Sequence, residues 1–410
     1  MSRVSLILVC CLLWPGVPKA FGQFGGSPIN TFGYFQVSFQ HQQDTDGDDD
    51  ENTFSVQQLN LILESNLSRH WRAFIDLEML NNFSSSRRWG SFDLNEAWIS
   101  YRAGPRLTLK GGLHVPVFNH LNDIKNRTPL LPYVIRPHVY EESFGEVVNI
   151  EEYVPERAFA QVKGFVPIGR AKIDYAAYLG NSPNIRSQFD TARTHGDGQT
   201  GVDSTTTVLV GGRLGLRYGE LTLGGSITRE TVNFFRDLES PLGVPERSLS
   251  SVPKTRLGAD LSLHLEKVSF EGEVIAVRYD VDPPSALQPR PGGGRPRIDL
   301  NRLFYYGTLG YHINERLFAY ASYWFSEEGF DLKTGTTDFL DELDVEVITG
   351  GLRYTVLRDE MGFDRVTLKA QYAYVDIRAE GRGRDQFGQE INFKETPHLN
   401  IIGLGVSVLF

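Results

Sequence analysis

Charged and imidazole side chains recur along this chain on alternate residues and do not gather into compact clusters. Asp76 and Glu78 stand two apart, and Glu96 and Arg102, Lys110 and His114, and Arg213 and Arg217 keep even spacings within their own runs. Residues of mixed sign in this pattern shape an ion field in water; they do not assemble a reaction centre. A hydrolase needs a nucleophile, a His base and an orienting acid converging on one point. His114, His264 and His312 lie on polar faces, and none has an obvious partnered Ser that the sequence can place. The nine His residues show no zinc spacing, and no Gly-rich phosphate loop follows a strand and opens a helix. The acidic run Asp44–Glu51 offers hard oxygen donors without the twelve-residue spacing of a calcium loop. No enzymatic activity, metal or cofactor is therefore expected.

Alternate spacing requires strands to position it. Sixteen period-two segments run through the chain: 29–41, 53–64, 70–81, 92–103, 106–117, 157–167, 170–180, 205–217, 220–234, 254–266, 268–280, 302–313, 316–326, 343–356, 365–379 and 399–410. In one, Leu257, Ala259, Leu261, Leu263 and Leu265 oppose Arg256, Asp260, Ser262, His264 and Glu266. In another, Val208, Val210, Leu214, Leu216 and Tyr218 oppose Thr207, Arg213 and Arg217. The last segment alternates Ile402, Leu404, Val406, Val408 and terminal Phe410 with Gly403, Gly405 and Ser407.

The links alternate in length. Those after even-numbered segments are mostly tight, as at Ile168-Gly169-Arg170, Tyr218-Gly219-Glu220 and Asn314-Glu315, with Leu357–Asp364 the longest of them. Those after odd-numbered segments are long and polar: Gln42–Asn52, Asn181–Ser204, Phe235–Pro253, Val281–Asn301, Glu327–Glu342 and Glu380–His398. A soluble sandwich has no reason to sort its links, whereas a barrel inserted from one side of a membrane keeps short turns on that side and long loops on the other. The predicted fold is all-β: a transmembrane antiparallel β-barrel of about 16 strands, with long outward loops and an inward-folded third loop. Apolar side chains then face lipid and polar ones face a hydrated lumen. Trp71, Tyr101, Tyr218 and Tyr354 fall near the short turns on the apolar face, where an interfacial girdle belongs.

Residues 1–22 fit an export signal, with Arg3, an apolar run from Val4 to Trp14 too short to span a bilayer, and small residues around Ala20-Phe21-Gly22. Both cysteines, Cys10 and Cys11, lie inside it, so the mature domain 23–410 has no thiol chemistry. Beyond it no stretch is apolar enough for a transmembrane helix. The 41 Gly, 26 Phe and 17 Tyr suit β-structure with aromatic girdles, and the formal charge of −10 argues against a nucleic-acid partner.

The candidate lumen-lining residues are Glu96, Arg102, Lys110, His114, Lys163, Arg213, Arg217, Arg353 and Lys369 on the strands, with Arg127 and Arg136 on the long third link, 118–156. That link is too long to leave in solvent and is expected to fold into the lumen and narrow it. It carries seven acidic residues against Lys125, Arg127 and Arg136, and Pro129, Pro132 and Pro137 stiffen it. Arg127 and Arg136 are expected to face acids of the link or of the wall. About sixteen strands leave a water-filled passage, so passive diffusion of small polar solutes is the expected role. An outer-membrane barrel with an adhesive or hydrolytic role is the alternative. Outer-membrane lipid, lipopolysaccharide and small polar solutes are the expected partners.

The run Phe92-Asp93-Leu94-Asn95-Glu96-Ala97-Trp98-Ile99-Ser100-Tyr101, followed by Leu107-Thr108-Leu109-Lys110-Gly111-Gly112-Leu113-His114-Val115-Pro116-Val117-Phe118, resembles the phosphate-selective porin O and P family. Asp174-Tyr175-Ala176-Ala177-Tyr178-Leu179-Gly180-Asn181 is similar to that family's strand ending in Asn. The resemblance covers about residues 92–181. It implies a sixteen-stranded passive channel, assembled as a homotrimer, in the outer membrane of a Gram-negative-type bacterium. Phosphate selectivity does not come with it, because the inward link here is acid-rich. Lys110, Arg213, Arg217, Arg353 and Lys369 gather toward the periplasmic half of the lumen, which leaves anions such as phosphate open as solutes.

Overall fold

A computed structural model describes residues 29–44, 50–82, 91–124, 127–137, 157–182, 208–232, 252–280, 297–333, 338–360, 363–384 and 390–410. The segment 1–22, most acids of the third link, His138, and the glycine-rich 289–296 lie outside these residues.

The strands are β1 (Ile29–Asp44), β2 (Asp50–Asn66), β3 (Trp71–Asn82), β4 (Ser91–Gly104), β5 (Leu107–His114), β6 (Arg157–Ile168), β7 (Ala171–Asn181), β8 (Val208–Tyr218) and β9 (Leu221–Val232). They continue with β10 (Val252–His264), β11 (Val268–Tyr279), β12 (Arg297–His312), β13 (Leu317–Lys333), β14 (Asp338–Glu360), β15 (Phe363–Arg384), β16 (Glu390–Glu395) and β17 (His398–Leu409). From β1 to β16 each pairs antiparallel with the next, β17 pairs with β15, and β1 pairs with β17 from Tyr34↔Leu409 to Asp44↔Leu399, closing the sheet on itself. β16 and β17 both lie along β15 in one continuous register, Ala379↔Glu395 and then Asp376↔His398. They are a single strand interrupted at Thr396-Pro397, where proline offers no N–H to the ladder. The ring therefore has sixteen staves.

The outward face is the greasy one. Leu214, Leu257, Ile348, Leu404 and Val406 are exposed, while their neighbours Thr349, Gly405 and Ser407 are buried on the other side. Trp71, Tyr218 and Tyr354 are exposed near the short turns, and the Tyr101 ring lies 4.9 Å from that of Trp71.

Three features differ from the sequence reading. β5 stops at His114, not at 117, because Pro116 interrupts the ladder. The links expected at Glu327–Glu342, Leu357–Asp364 and Glu380–His398 are largely strand, since β13, β14 and β15 run on. Their outward residues there turn charged, as at Glu342, Asp344 and Glu346, so the apolar alternation stops while backbone pairing continues. The third correction concerns the lumen, which is not polar throughout. Ile275, Val277, Phe304, Tyr306, Tyr320, Trp324, Val345, Val347, Val375 and Ile401 all face inward and pack into one buried cluster.

Candidate functional site

The third link enters the lumen as expected. Directly after β5 the chain leaves the wall, and residues 115–124 and 127–137 lie across the interior as a strap with two single-turn 3-10 helices, Leu121–Asp123 and Thr128–Leu130. Its apolar residues Phe118, Leu121, Leu131, Tyr133 and Ile135 are buried against the inward apolar wall of β11–β17. Tyr133 meets Tyr320 edge-on at 5.1 Å and Trp324 at 6.4 Å, and its hydroxyl lies 2.8 Å from Thr308 Oγ1. Burial of such side chains is worth roughly 1.5–3 kcal/mol each, which fixes the strap to one half of the ring.

Polar anchors hold it at two places far apart on the circumference. At the β9–β11 wall, Asn119 takes a left-handed backbone (φ 51°) and donates its N–H to Ser226 Oγ at 3.0 Å. The next anchor is the Leu121 N–H, donated to the Glu273 carboxylate. Gly258 makes room there, since a Cβ would collide with the Asn119 side chain. At the β1–β2–β15–β17 wall, glutamine side chains reach the strap backbone. Gln371 Oε1 accepts from the N–H groups of Val134 and Ile135, each at 2.8 Å, and Gln371 Nε2 donates to Ile135 O at 3.0 Å. Gln57 Nε2 donates to Val134 O at 2.8 Å, and Gln58 Oε1 accepts from the Thr128 N–H at 3.1 Å. Val134 seats against Gly403, where any side chain would force it away.

Lys369, a candidate lumen cation, belongs to this anchor and not to the water-facing wall. Its buried ammonium donates to Gln36 Oε1 at 2.7 Å and to the carbonyl oxygens of Thr128, Tyr133 and Pro129 at 2.9, 3.2 and 3.3 Å. The three donors of the ammonium are all taken by these oxygens, so it ties wall to strap without a carboxylate.

The strap leaves the β2–β8 side polar. Glu96 is the meeting point: Lys110 Nζ lies 3.2 Å from one carboxylate oxygen, Arg127 on the strap 3.9 Å from the other, and Trp98 Nε1 donates to it at 2.7 Å. Lys110 also sits over the Trp98 ring at 4.4 Å. Arg127 thus faces a wall acid, as expected. Asp76 and Glu78 are buried beneath amides: Asn60 and Asn95 donate to Asp76 at 2.9 and 3.2 Å, and Gln58 donates to Glu78 at 2.6 Å. The β5–β8 wall presents Lys110, Lys163, Lys172, Arg213 and Arg217 inward, against Asp174 among the acids described there. Arg213 makes a two-pronged pair with Asp260 across the lumen face (3.1 and 2.5 Å), and Arg217 does so with Asp174.

The remaining candidates scatter. His114 is buried at the strap's root, with Nδ1 3.0 Å from Gly112 O and its ring edge-on to Phe159. Arg136 is buried at the strap's far end. Arg102 is exposed beside a short turn, and its carbonyl accepts from His70 Nδ1 at 2.9 Å. Arg353 lies over the Phe318 ring at 4.9 Å. The sequence reading missed Gln36, Gln57, Gln58 and Gln371. Gln36, Gln58 and Gln371 carried a signal, as long amides on the inward phase of strands at the joint, whereas Gln57 turns inward only through the β-bulge opposite Gln36/Val37.

A closed ring of sixteen antiparallel strands with a strap folded into its interior is the general outer-membrane porin fold. The chain is similar over that whole architecture to an anion-selective porin from Comamonas acidovorans, with a TM-score of 0.53, 12% identity, and coverage of 94% of this chain and 100% of the other. It is similar to the outer membrane channel DcaP of Acinetobacter baumannii, with a TM-score of 0.53, 13% identity and coverage of 95% and 99%. The trimer form of Vibrio cholerae OmpT aligns at a TM-score of 0.50, 10% identity, and coverage of 93% and 99%. No family model matches the sequence, and no curated protein matches it.

Proposed function

We propose that the chain is a passive diffusion channel of the outer membrane of a Gram-negative-type bacterium, exported through residues 1–22 and carrying small hydrophilic solutes or ions. It is not an enzyme on this reading. The observation that carries it is the inversion of sidedness around a closed ring: Leu214 is 66% exposed on the outer face, while its neighbour Arg213 is paired inside. Charges in such a place cost little only beside water, and the strap leaves that water on the β2–β8 side.

The basic β5–β8 wall favours small anions, phosphate among them, as the preferred solutes. The likeness to an anion-selective porin is in keeping with this finer reading. A homotrimer is in keeping with the trimeric relative, and outer-membrane lipid and lipopolysaccharide would meet the apolar belt and the charged rim above it. Planar-bilayer recording tests the whole. Stepwise conductance with a reversal potential displaced toward the anion equilibrium in a salt gradient is expected. Closed membranes at saturating protein would overturn the channel, and a cation-directed displacement would overturn the anion preference.

A further inference from the structure

The short turns form the rim opposite the long links, and most are built alike. An exposed apolar residue ends the strand, and a charged residue follows within two positions: Leu67 and Arg69, Ile168 and Arg170, Tyr218 and Glu220, Leu265 and Glu266, Ile313 and Glu315. The signs are sorted around the ring. The β2–β3, β4–β5 and β6–β7 turns carry Arg69 and His70, Arg102 and Arg106, and Arg170, with no acid among them. The later turns each carry acid: Glu220, then Glu266, then Glu315, then Asp359, Glu360 and Asp364.

Backbone contacts join the three basic turns to their neighbours and fix them. The Arg102 N–H donates to His70 O at 2.8 Å, and His70 Nδ1 lies 2.9 Å from Arg102 O. Ser68 Oγ accepts from the N–H groups of His70 and Trp71, each at 3.2 Å. Arg106 O accepts from the Phe165 N–H at 3.3 Å and from the Tyr175 hydroxyl at 3.1 Å, and Gly164 leaves no room for a Cβ against it. With strands about 4.8 Å apart, the three turns share about 24 Å of rim. Arg69, Arg102, Arg106 and Arg170 are exposed and form no ion pair among the described residues. The acids of the same strand ends, Glu64 and Asp174, are taken by Arg72 and Arg217.

The depth of this arc selects what covers it. Leu67, Trp71 and Ile168 are exposed at the same turns, and the Trp71 and Tyr101 rings lie 4.9 Å apart. Indole and phenol rings mark the boundary between acyl chains and headgroups, so guanidiniums one or two residues away stand at the level of lipid phosphates. A soluble protein would need a patch clear of that boundary. A zwitterionic headgroup brings a cation that requires an acid, and this arc has none to spare. An anionic headgroup brings only the phosphate that a guanidinium fork matches.

We propose that the β2–β7 arc of the short-turn rim binds anionic phospholipid of the facing leaflet through Arg69, Arg102, Arg106 and Arg170. The proposal rests on the reading of the apolar belt as lipid-facing.

The folded full chain in mixed vesicles of phosphatidylcholine and phosphatidylglycerol tests it. Either lipid is brominated on its acyl chains, so that contact quenches Trp71, and the signal is the difference from Trp71→Phe. Brominated phosphatidylglycerol should quench at least about threefold more strongly per mole at low salt, and about 0.5 M salt should abolish the preference. The R69Q/R102Q/R106Q/R170Q variant, with its folded gel mobility kept, should lose the preference. A reporter on the far arc, Tyr218→Trp in the Trp71→Phe background, should show none. Equal quenching of Trp71 by both lipids would overturn the proposal and leave the arc to a soluble acidic partner. A preference unchanged in the fourfold variant, or equal at the far arc, would overturn it as well. Abolition by inorganic phosphate at matched ionic strength would reassign the arginines to free anions. No quenching by either lipid would defeat the lipid-facing belt itself, a different failure from equal quenching by both.

Discussion

The ammonium of Lys369 lies 2.9 Å from the carbonyl oxygen of Thr128, tying a wall strand to a segment 241 positions earlier in the chain. Lys369 donates to the strap carbonyls, and the wall glutamines beside it both donate to and accept from the strap backbone, so the wall imposes the strap's position. Lys369→Met keeps the length and removes the donors. It takes a donor from the Pro129 and Tyr133 carbonyls, at about 1–3 kcal/mol for a buried group left unpaired, while Thr128 O keeps the Leu131 N–H at 3.1 Å. We expect larger current fluctuations and a higher mean conductance, read from single-channel traces. A trace as quiet as the parent's would show that the glutamines suffice.

Glu96 holds Lys110 and Arg127 together. Glu96→Gln should release both positive charges to the passage and move the reversal potential toward the anion equilibrium by several millivolts. Lys110→Gln should move it the other way. Opposite signs for the two variants are the diagnostic result.

Arg213 and Asp260 form a pair in which the carboxylate is almost wholly buried. Removing one partner of such a pair costs roughly 3–5 kcal/mol, whereas replacing both costs far less. Asp260→Asn should therefore lower the urea midpoint of unfolding in vesicles more than Arg213→Met with Asp260→Leu does. Equal losses would mean that water screens the pair.

Ile348 faces outward with 59% exposure, and Thr349 beside it faces inward. Arg at a lipid-facing midplane position costs about 2–4 kcal/mol. Ile348→Arg should reduce the folded fraction recovered in bilayers, measured by the heat-dependent gel shift. The same substitution at Leu214 should act alike, since it faces lipid on the far side of the ring.

Strand positions were legible because period two is rigid: a slip of one residue exchanges the lipid and lumen faces. Leu257 and Arg256 could fall only on opposite sides, and they do. Strand ends were not legible where Glu342, Asp344 and Glu346 rise above the apolar belt, because alternation reports the solvent and not the hydrogen bonding. The apolar interior was missed for a related reason. β13 is apolar on both phases, with Phe318, Tyr320 and Trp324 inside and Ala319, Ala321 and Tyr323 outside. Such a strand needs something dry against each face. On the lumen side that is the strap, and no local pattern announces a contact between Tyr133 and Trp324. Among the site residues, that Arg127 would face an acid of the link or the wall followed from charge and topology, whereas the choice of Glu96 and the commitment of Lys369 to carbonyls required coordinates.

The seat of the strap is built from both ends of the chain, with Gln36 on the first strand, Gln57 and Gln58 on the second, and Lys369, Gln371 and Gly403 on the last two. No such seat exists until the first and last strands meet. The β9–β11 anchor does not need that joint, but the glutamine end of the crossing piece is bolted home only when the two edges have met. Once home, it spans that joint, so anything that pries the edges apart must first draw the bolt.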